Sequence, residues 1–184
     1  IDTSIVNISP DQCQAYDRHW KMTKDGILAF VAGETTNSDY LAIKNDIESW
    51  PGNGNASYNQ GNYLAPFVDV NNDGLYDFRD GDYPGYNLQG NYPVVPGTPL
   101  TVCNEYLFFF FSIWWVFNDV GNAHTETSSE PIGLEIRAQA FGFKTNDEIN
   151  NMTFYKYQII NRSSLTLTQT YFGQWVDPDL GDAV

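Results

Sequence analysis

Apolar residues in the first third of the chain recur at helical spacing. Ser9 followed by Pro10 is typical of a helix N-cap and first-turn proline, and Thr23 and Ser38 are suitable caps for two further helices. The predicted helices cover residues 10–22, 23–33 and 39–50. The third has an apolar face made of Tyr40, Ile43, Ile47 and Trp50. This spacing predicts a face that packs against a core.

The second half of the chain changes to the pattern of β-strands. Glu105–Phe117 is a continuous apolar run, typical of a strand buried on both faces, and residues 132–140 alternate between apolar and polar. The predicted strands cover residues 105–117, 132–140, 153–161 and 167–176. Strands that follow a helical start without βαβ alternation predict a mainly β fold. We expect an antiparallel, jelly-roll-like β-sandwich with short N-terminal helices and a long loop insertion.

This pattern divides the chain into three stretches of one continuous domain. Residues 1–50 form the helical segment, residues 51–104 are rich in Gly, Asn and Pro, and residues 105–184 contain the sandwich strands. Glycine and proline in the middle stretch favour loops over regular elements. We expect the strand region to continue beyond residue 184, so that the domain is truncated at its C-terminus.

Composition excludes several classes of function. Nine Lys and Arg against 23 Asp and Glu give a net charge of −14, and 16% of the residues are aromatic. The aromatic content is typical of a folded domain rather than of a disordered acidic tail. The negative charge argues against nucleic-acid binding and against docking on anionic lipid. The longest apolar run has 12 residues, from Tyr106 to Phe117, whereas a membrane helix needs ~20. We therefore expect neither nucleic-acid binding nor membrane insertion.

The most specific motif lies between residues 69 and 80. Counted from Asp69, oxygen-bearing residues fall at positions 1, 3, 5, 9 and 12, with Gly74 at position 6 and the Leu75 backbone carbonyl at position 7. This is the spacing of an EF-hand-type calcium loop, although position 12 is Asp rather than Glu. The predicted calcium ligands are Asp69, Asn71, Asp73, Leu75, Asp77 and Asp80.

The alternative for this loop is a surface turn, rich in Asp and Asn, that binds nothing. Five Asp and one Arg lie between Asp69 and Asp82, and crowded carboxylates repel one another unless a cation lies among them. We therefore favour calcium in a structural role, in which the ion fixes a long loop. Asp82 is either a further ligand or the cap of a turn.

Two other acidic clusters are weaker metal candidates. Asp177, Asp179 and Asp182 form either a second cation site or a polar turn. For Asp119, His124 and Glu126, a hydrogen-bonded turn is favoured over a metal site.

Neither a catalytic site nor a sugar-binding surface is clearly indicated. Glu135 and Asp177 are the carboxylates that a glycosidase hypothesis would use, but their separation cannot be obtained from sequence. No nucleophile elbow, phosphate loop or His-Glu-x-x-His motif is present. Trp50, Trp114, Trp115 and Trp175 are either core residues or a platform for sugars, and core packing is favoured. Cys13 and Cys103 form either one disulfide or two free thiols.

Several strings of the chain resemble one group of exported proteins. The strings APFVDVNNDG, GDYP and WVDPDLG are the most specific of them. They resemble large secreted proteins of Bacteroidetes-type bacteria that have a C-terminal sorting domain for the type IX secretion system. The resemblance covers most of residues 13–182 and departs around residues 86–113. Because no sorting domain is recognised within these 184 residues, we expect them to be a fragment of a longer polypeptide. The resemblance implies an exported surface protein and supplies no catalytic residue. The cation positions that it highlights are the 69–80 loop and Asp177, Asp179 and Asp182.

Together these observations predict a secreted, calcium-stabilised module of the cell surface. We expect a structural or adhesive role without catalysis, for example as a subunit of an extracellular filament or sheath. The expected partners are other surface proteins or copies of the chain itself. The alternatives are a glycan-binding module and, less favoured, part of a glycoside hydrolase.

Overall fold

A computed structural model describes residues 8–58, 60, 63–85, 109–120 and 124–176. The helices are α1 (Pro10–Tyr16), α2 (Lys24–Val31) and α3 (Ser38–Glu48). The strands are β1 (Trp20–Thr23), β2 (Phe67–Val68), β3 (Tyr83–Pro84), β4 (Phe109–Asn118), β5 (Leu134–Phe143) and β6 (Thr153–Asn161). Among the described residues, no helix is both long enough and apolar enough to span a bilayer.

The strands form two antiparallel sheets. The larger sheet has the order β1-β4-β5-β6, with Trp114 opposite Trp20 on one side and opposite Gln139 on the other. The smaller sheet is the β2–β3 hairpin. The mainly β class with few helices is therefore confirmed.

The caps of the three helices follow the sequence prediction closely. Ser9 Oγ accepts a hydrogen bond from the Gln12 amide, and Thr23 Oγ1 accepts one from the Gly26 amide. The third cap is Asn37 rather than Ser38, one residue earlier than expected. The side chains of these residues satisfy amides that a helix N-terminus leaves without partners.

The predicted helix over residues 10–22 is wrong in its second half. The helix ends at Tyr16, and residues 20–23 form β1. Trp20 and Met22 both point into the core, a two-residue period that suits a strand. Pairing with β4 supplies the backbone hydrogen bonds that the helix would otherwise have made.

The core lies between the helices and one face of the larger sheet. The predicted apolar face of α3 is confirmed, because Tyr40, Ile43, Ile47 and Trp50 are all buried. They share one core with Trp20, Trp114, Phe67 and Tyr76, in which the Trp114 ring contacts those of Trp20 and Trp50, and the Phe67 ring contacts that of Tyr76. Two buried polar groups of this core have hydrogen-bond partners, because the Trp50 indole donates to the Pro66 carbonyl and the Tyr76 hydroxyl donates to the Ile47 carbonyl.

The opposite face of the larger sheet is apolar and largely uncovered by the described residues. We call it the open face. It consists of Ile113, Trp115, Phe117, Ile136, Ala138, Ala140, Tyr155, Tyr157 and Ile159, which the strand register places on one side. Four of these side chains are 45–61% exposed, namely Phe117, Tyr155, Tyr157 and Ile159. The prediction that the 105–117 strand is buried on both faces is therefore wrong for residues 110–117, the part whose burial the structure describes.

The last described segment differs from its prediction. Residues 167–176 contain no strand, although the sequence predicts one there. We call residues 165–176 the aromatic arm, because Tyr171, Phe172 and Trp175 are 71–89% exposed in it. In the described residues the larger sheet has a helical layer on one face only.

Candidate metal centre

The predicted calcium loop connects the two strands of the β2–β3 hairpin. Phe67 lies opposite Pro84 and Val68 opposite Tyr83, so residues 69–82 form the connection between them. Phe67 is 1% exposed and anchors the hairpin in the core. The loop is thus attached at both ends to a hairpin whose residues Phe67 and Pro84 are buried.

Asp69 organises the first half of the loop. Its side chain is buried, with Oδ1 accepting from the amides of Asn72 (2.7 Å) and Asp73 (3.3 Å), and Oδ2 accepting from Gly74 (2.8 Å). The backbone turns sharply at Gly74, where φ is 81°. The sequence prediction of a tight turn at position 6 agrees with this conformation.

Asp82 closes the second half of the loop as a turn cap. It is fully buried, and its two oxygens accept from the amides of Val70 (2.8 Å) and Asp77 (2.9 Å). Burial raises the pKa of its carboxyl above the ordinary value; these two hydrogen bonds oppose the shift, and the charges of Asp69 and Asp73 add to it. The fold therefore brings Asp82 into the electrostatic field of the predicted ligands.

The exposed carboxylates of the loop share a single amide group. Asn71 Nδ2 lies 3.0 Å from Asp73 Oδ2 and 3.3 Å from Asp80 Oδ2, which places these two side chains side by side. Asp73 Oδ1 also accepts from the amide of Leu75 at 2.8 Å. Five of the six predicted ligand residues, Asp69, Asn71, Asp73, Leu75 and Asp80, are therefore linked by hydrogen bonds.

Asp77 is the predicted ligand that is directed elsewhere. Arg79 forms a bidentate pair with it, with Nε 2.8 Å from Oδ1 and Nη2 2.6 Å from Oδ2. The hydrogen bonds from Arg79 lower the pKa of the Asp77 carboxyl. The guanidinium thus occupies the oxygens that would face a cation at position 9.

The loop has the donor chemistry of a hard cation but no preformed cage. Its side-chain donors are carboxylate and amide oxygens, the ligand type that Ca²⁺ takes. Within the described ranges, no three His, Cys, Asp or Glu side chains are grouped so that they hold a metal ion. In the present arrangement, backbone amides, Asn71 and Arg79 contact the carboxylates instead.

Sequence reasoning missed a polar clamp that holds the loop from outside. Asn53 accepts a hydrogen bond from the Tyr76 amide (2.7 Å) and donates one to the Tyr76 carbonyl (2.9 Å). Asn53 belongs to a Gly- and Asn-rich stretch that the sequence identifies only as loop. Because the clamp joins residues far apart in the chain, no local motif could have indicated it.

Asp119 and its neighbours form a turn, as the sequence favoured. Asp119 Oδ2 accepts from the amides of Ile132 (2.6 Å) and Gly133 (3.2 Å), and Oδ1 accepts from Leu134 (2.6 Å). The His124 ring contacts the Asp119 carbonyl, not its carboxylate. Glu126 is exposed. The Asp119 carboxylate is therefore used by the backbone.

Glu135 is an ion-paired carboxylate in the wall of an open cleft of about 1130 Å³ between α1 and the β4–β5 end of the sheet. Arg137 Nε lies 2.7 Å from Glu135 Oε1, and Arg162 Nε lies 3.0 Å from Oε2. Burial favours a higher pKa, but the hydrogen bonds and charges of Arg162 and Arg137 outweigh it and leave the pKa of Glu135 lowered. An ionised, paired carboxylate is a poor general acid.

The remaining candidates are divided between the core, the surface and the residues that the structure does not describe. Trp50 and Trp114 are buried, Trp115 is half-buried on the open face, and Trp175 is 82% exposed. Cys13 is half-buried in α1. Asp177, Asp179, Asp182 and Cys103 lie outside the described residues.

Comparisons with known proteins identify no relative. No family model matches the chain, and neither a curated protein nor a solved structure matches it.

Proposed function

We propose that this chain is a calcium-stabilised structural or adhesive module of an exported, cell-surface protein, without catalytic activity of its own. The observation that supports this function is the 69–82 loop. It combines EF-hand-type oxygen spacing with a cluster of carboxylates attached to the core.

The charge balance of the loop favours a bound cation. Asp69 and Asp82 are buried, and Asp73 and Asp80 lie beside the same Asn71 amide. Arg79 is the single cationic side chain within the loop, and it pairs with Asp77. A divalent cation would offset two of the four negative charges on the carboxylates that Arg79 does not contact, and would so reduce their mutual repulsion.

A structural role fits this site better than a sensor role. Sensor EF-hands respond by opening a pair of helices, whereas strands β2 and β3 flank this loop. An ion bound here would fix the hairpin connection and add its binding free energy to folding. Extracellular calcium modules typically bind with a Kd of ~10⁻⁴–10⁻³ M, which suits a protein that is loaded after export.

We also propose that the larger sheet is one layer of a jelly-roll-like β-sandwich. The open face supplies one inner wall of such a sandwich, because it is apolar and faces away from the helical layer. A second layer is needed to bury it.

Calorimetry in calcium and in a chelator tests the calcium assignment. At a free calcium concentration of ~100 times Kd, ligand binding stabilises the fold by about 2.7 kcal/mol, which raises Tm by roughly 5–10 °C for a chain of this size. Asp73→Asn should remove most of this shift, whereas Glu130→Gln, which neutralises an exposed acid outside the loop, should keep it. Equal Tm values in calcium and chelator would contradict the assignment. An equal shift in both variants would indicate non-specific screening.

Export and surface location are tested separately. We expect antibodies against the chain to label intact native cells, and images of the cell surface to show whether it forms a filament or sheath. Detection only after cell lysis would contradict the surface location.

One observation keeps glycan binding as a second candidate. Tyr155 and Tyr157 are exposed side by side, with ring planes 9° apart and centroids separated by 6.5 Å. Aromatic faces can pack against the apolar faces of sugar rings, so these tyrosines are the residues to test. A glycan array with no hits would remove this candidate.

A further inference from the structure

Two exposed apolar surfaces remain unexplained by the calcium loop. On the open face, Phe117 is 45% exposed, Tyr157 46% and Tyr155 61%. On the aromatic arm, Phe172 is 71% exposed, Trp175 82% and Tyr171 89%. In the structure the arm therefore leaves both its own rings and the open face uncovered. Contiguous exposed apolar surface of this kind marks interaction sites.

The open face is organised as a continuous aromatic row across the sheet. The His19 and Trp115 rings lie 5.4 Å apart, and Trp115 meets Tyr157 edge-on at 6.5 Å. These rings enclose Ala138, which is 1% exposed because Trp115 and Tyr157 are its neighbours on the two adjacent strands. The row is thus a preformed aromatic surface in which a small residue lies between Trp115 and Tyr157.

The charge distribution singles out these two surfaces. The chain has a net charge of −14, yet residues 165–176 contain no Asp, Glu, Lys or Arg. All nine residues of the open face are also uncharged, with Lys21 of β1 at its edge. Two copies of so acidic a chain repel each other over most of their surfaces. The arm and the open face are surfaces on which that repulsion is weakest.

The combined area is sufficient for a stable contact between two copies. A buried aromatic side chain contributes ~150–250 Å², so the exposed parts of the six rings named above amount to roughly 800 Å² per copy. A standard interface buries about 800 Å² per partner. Neither surface alone reaches this area, whereas the two together do.

We infer that the aromatic arm of one copy packs across the open face of a second copy. The inference rests on the proposed structural role and names the partner of that module as the chain itself. Reciprocal exchange of the arms gives a closed, two-fold dimer, whereas one-way packing gives a chain of copies. The arm then supplies the layer that the open face lacks.

Analytical ultracentrifugation of the 184-residue chain at 1–100 μM tests the inference. We expect a dimer or larger species, and we expect Tyr157→Lys and Trp175→Asp each to weaken association at least tenfold. Leu41→Asp is the matched control, because Leu41 is 54% exposed on α3, away from both surfaces. Circular dichroism should show that all variants remain folded, since every substituted side chain is at least 46% exposed.

Mixing the two variants provides the sharpest test. Tyr157→Lys retains an intact arm and Trp175→Asp retains an intact open face, so their equimolar mixture should recover one arm–face contact. That single contact buries about half of the area of the reciprocal dimer, so we expect the mixture to associate more weakly than the wild type but more strongly than either variant alone. A mixture that associates no more strongly than the separate variants overturns the inference.

The remaining outcomes also decide the question. A wild-type chain that is monomeric at 100 μM overturns the inference, whether its arm folds back on its own open face or the tyrosines bind an oligosaccharide instead. Calcium calorimetry on the same samples separates this result from a failure of the proposed function. Loss of self-association with a retained calcium shift would contradict only the inference.

Discussion

Asp69 and Asp119 hold two connections of the molecule in the same manner, yet the charge around them differs. Each carboxylate is bonded to three backbone amides. At Asp119 the three amide donors face a single carboxylate, and the His124 ring contacts only the Asp119 backbone carbonyl. In the 69–82 loop, by contrast, the charges of Asp69 and Asp73 both act on the buried Asp82. The same capping chemistry thus holds a turn without surplus charge at Asp119 and a loop with uncompensated negative charge at Asp69.

The largest expected effect on the free energy of unfolding comes from removing the Asp119 side chain, which caps its turn. Asp119→Ala leaves three amides without their acceptor, and we expect the free energy of unfolding to fall by roughly 2–4 kcal/mol in urea denaturation. The calcium-dependent shift in Tm should persist, because this turn does not take part in the loop. Asp69→Ala should cause a comparable loss in chelator and also abolish the calcium shift. If Asp119→Ala also abolished the calcium-dependent shift in Tm, the Asp119 turn and the 69–82 loop would not be independent.

The sequence predicts what local chemistry determines and misses what pairing over distance determines. The caps Ser9 and Thr23 and the apolar face of α3 follow from spacing within one helix, and the structure agrees with each. β1 was missed because only four residues form it, and its partner β4 lies about ninety residues away. Helix propensity over so short a segment is easily overridden by tertiary pairing.

The candidate site shows the same division between local and distant contacts. The tight turn at Gly74 and the grouping of Asp73 with Asp80 follow from the motif. The clamp by Asn53 and the paired arginines around Glu135 involve residues from other elements, so no spacing rule indicates them. A count of charges along the loop also cannot show that Arg79 forms an ion pair with Asp77.

The second prediction tests the surplus charge of the loop directly. Asp80→Asn removes one of the two carboxylates that share Asn71. In chelator we expect unchanged stability or a gain of a few tenths of a kcal/mol, because repulsion is relieved. In calcium at ~100 times Kd, most of the ~2.7 kcal/mol of ligand stabilisation should disappear. Differential scanning calorimetry under both conditions measures the pair of effects. If Asp80→Asn lost as much stability in chelator as in calcium, Asp80 would stabilise the loop without an ion.

The third prediction concerns a carboxylate that the chain neutralises by itself. The pKa of Glu135 is lowered in the folded state by Arg162 and Arg137, against an unfolded value of 4.5. Its stabilisation is therefore complete above pH 4.5 and is lost as the pH falls through the lower folded pKa. Glu135→Gln should cost on the order of 1 kcal/mol near pH 7, and the difference from the wild type should shrink in acid. Urea denaturation at several pH values measures this difference. A difference independent of pH would contradict an ionised Glu135.

The smallest effect is expected from the arginine that competes for the loop. Arg79 occupies both oxygens of Asp77, so Arg79→Ala should free them and remove a positive charge beside the ion. We expect calcium to bind about two- to fivefold more tightly, in keeping with the small energy of an exposed ion pair. Isothermal titration calorimetry measures the affinity, and Arg18→Ala is the control, since Arg18 pairs with Asp46 at an exposed position outside the loop. If the affinity is unchanged or weaker, Asp77 is no ligand. The ion would then rely on Asp69, Asn71, Asp73, Asp80 and the Leu75 carbonyl, and Arg79 would serve only to neutralise the Asp77 carboxylate.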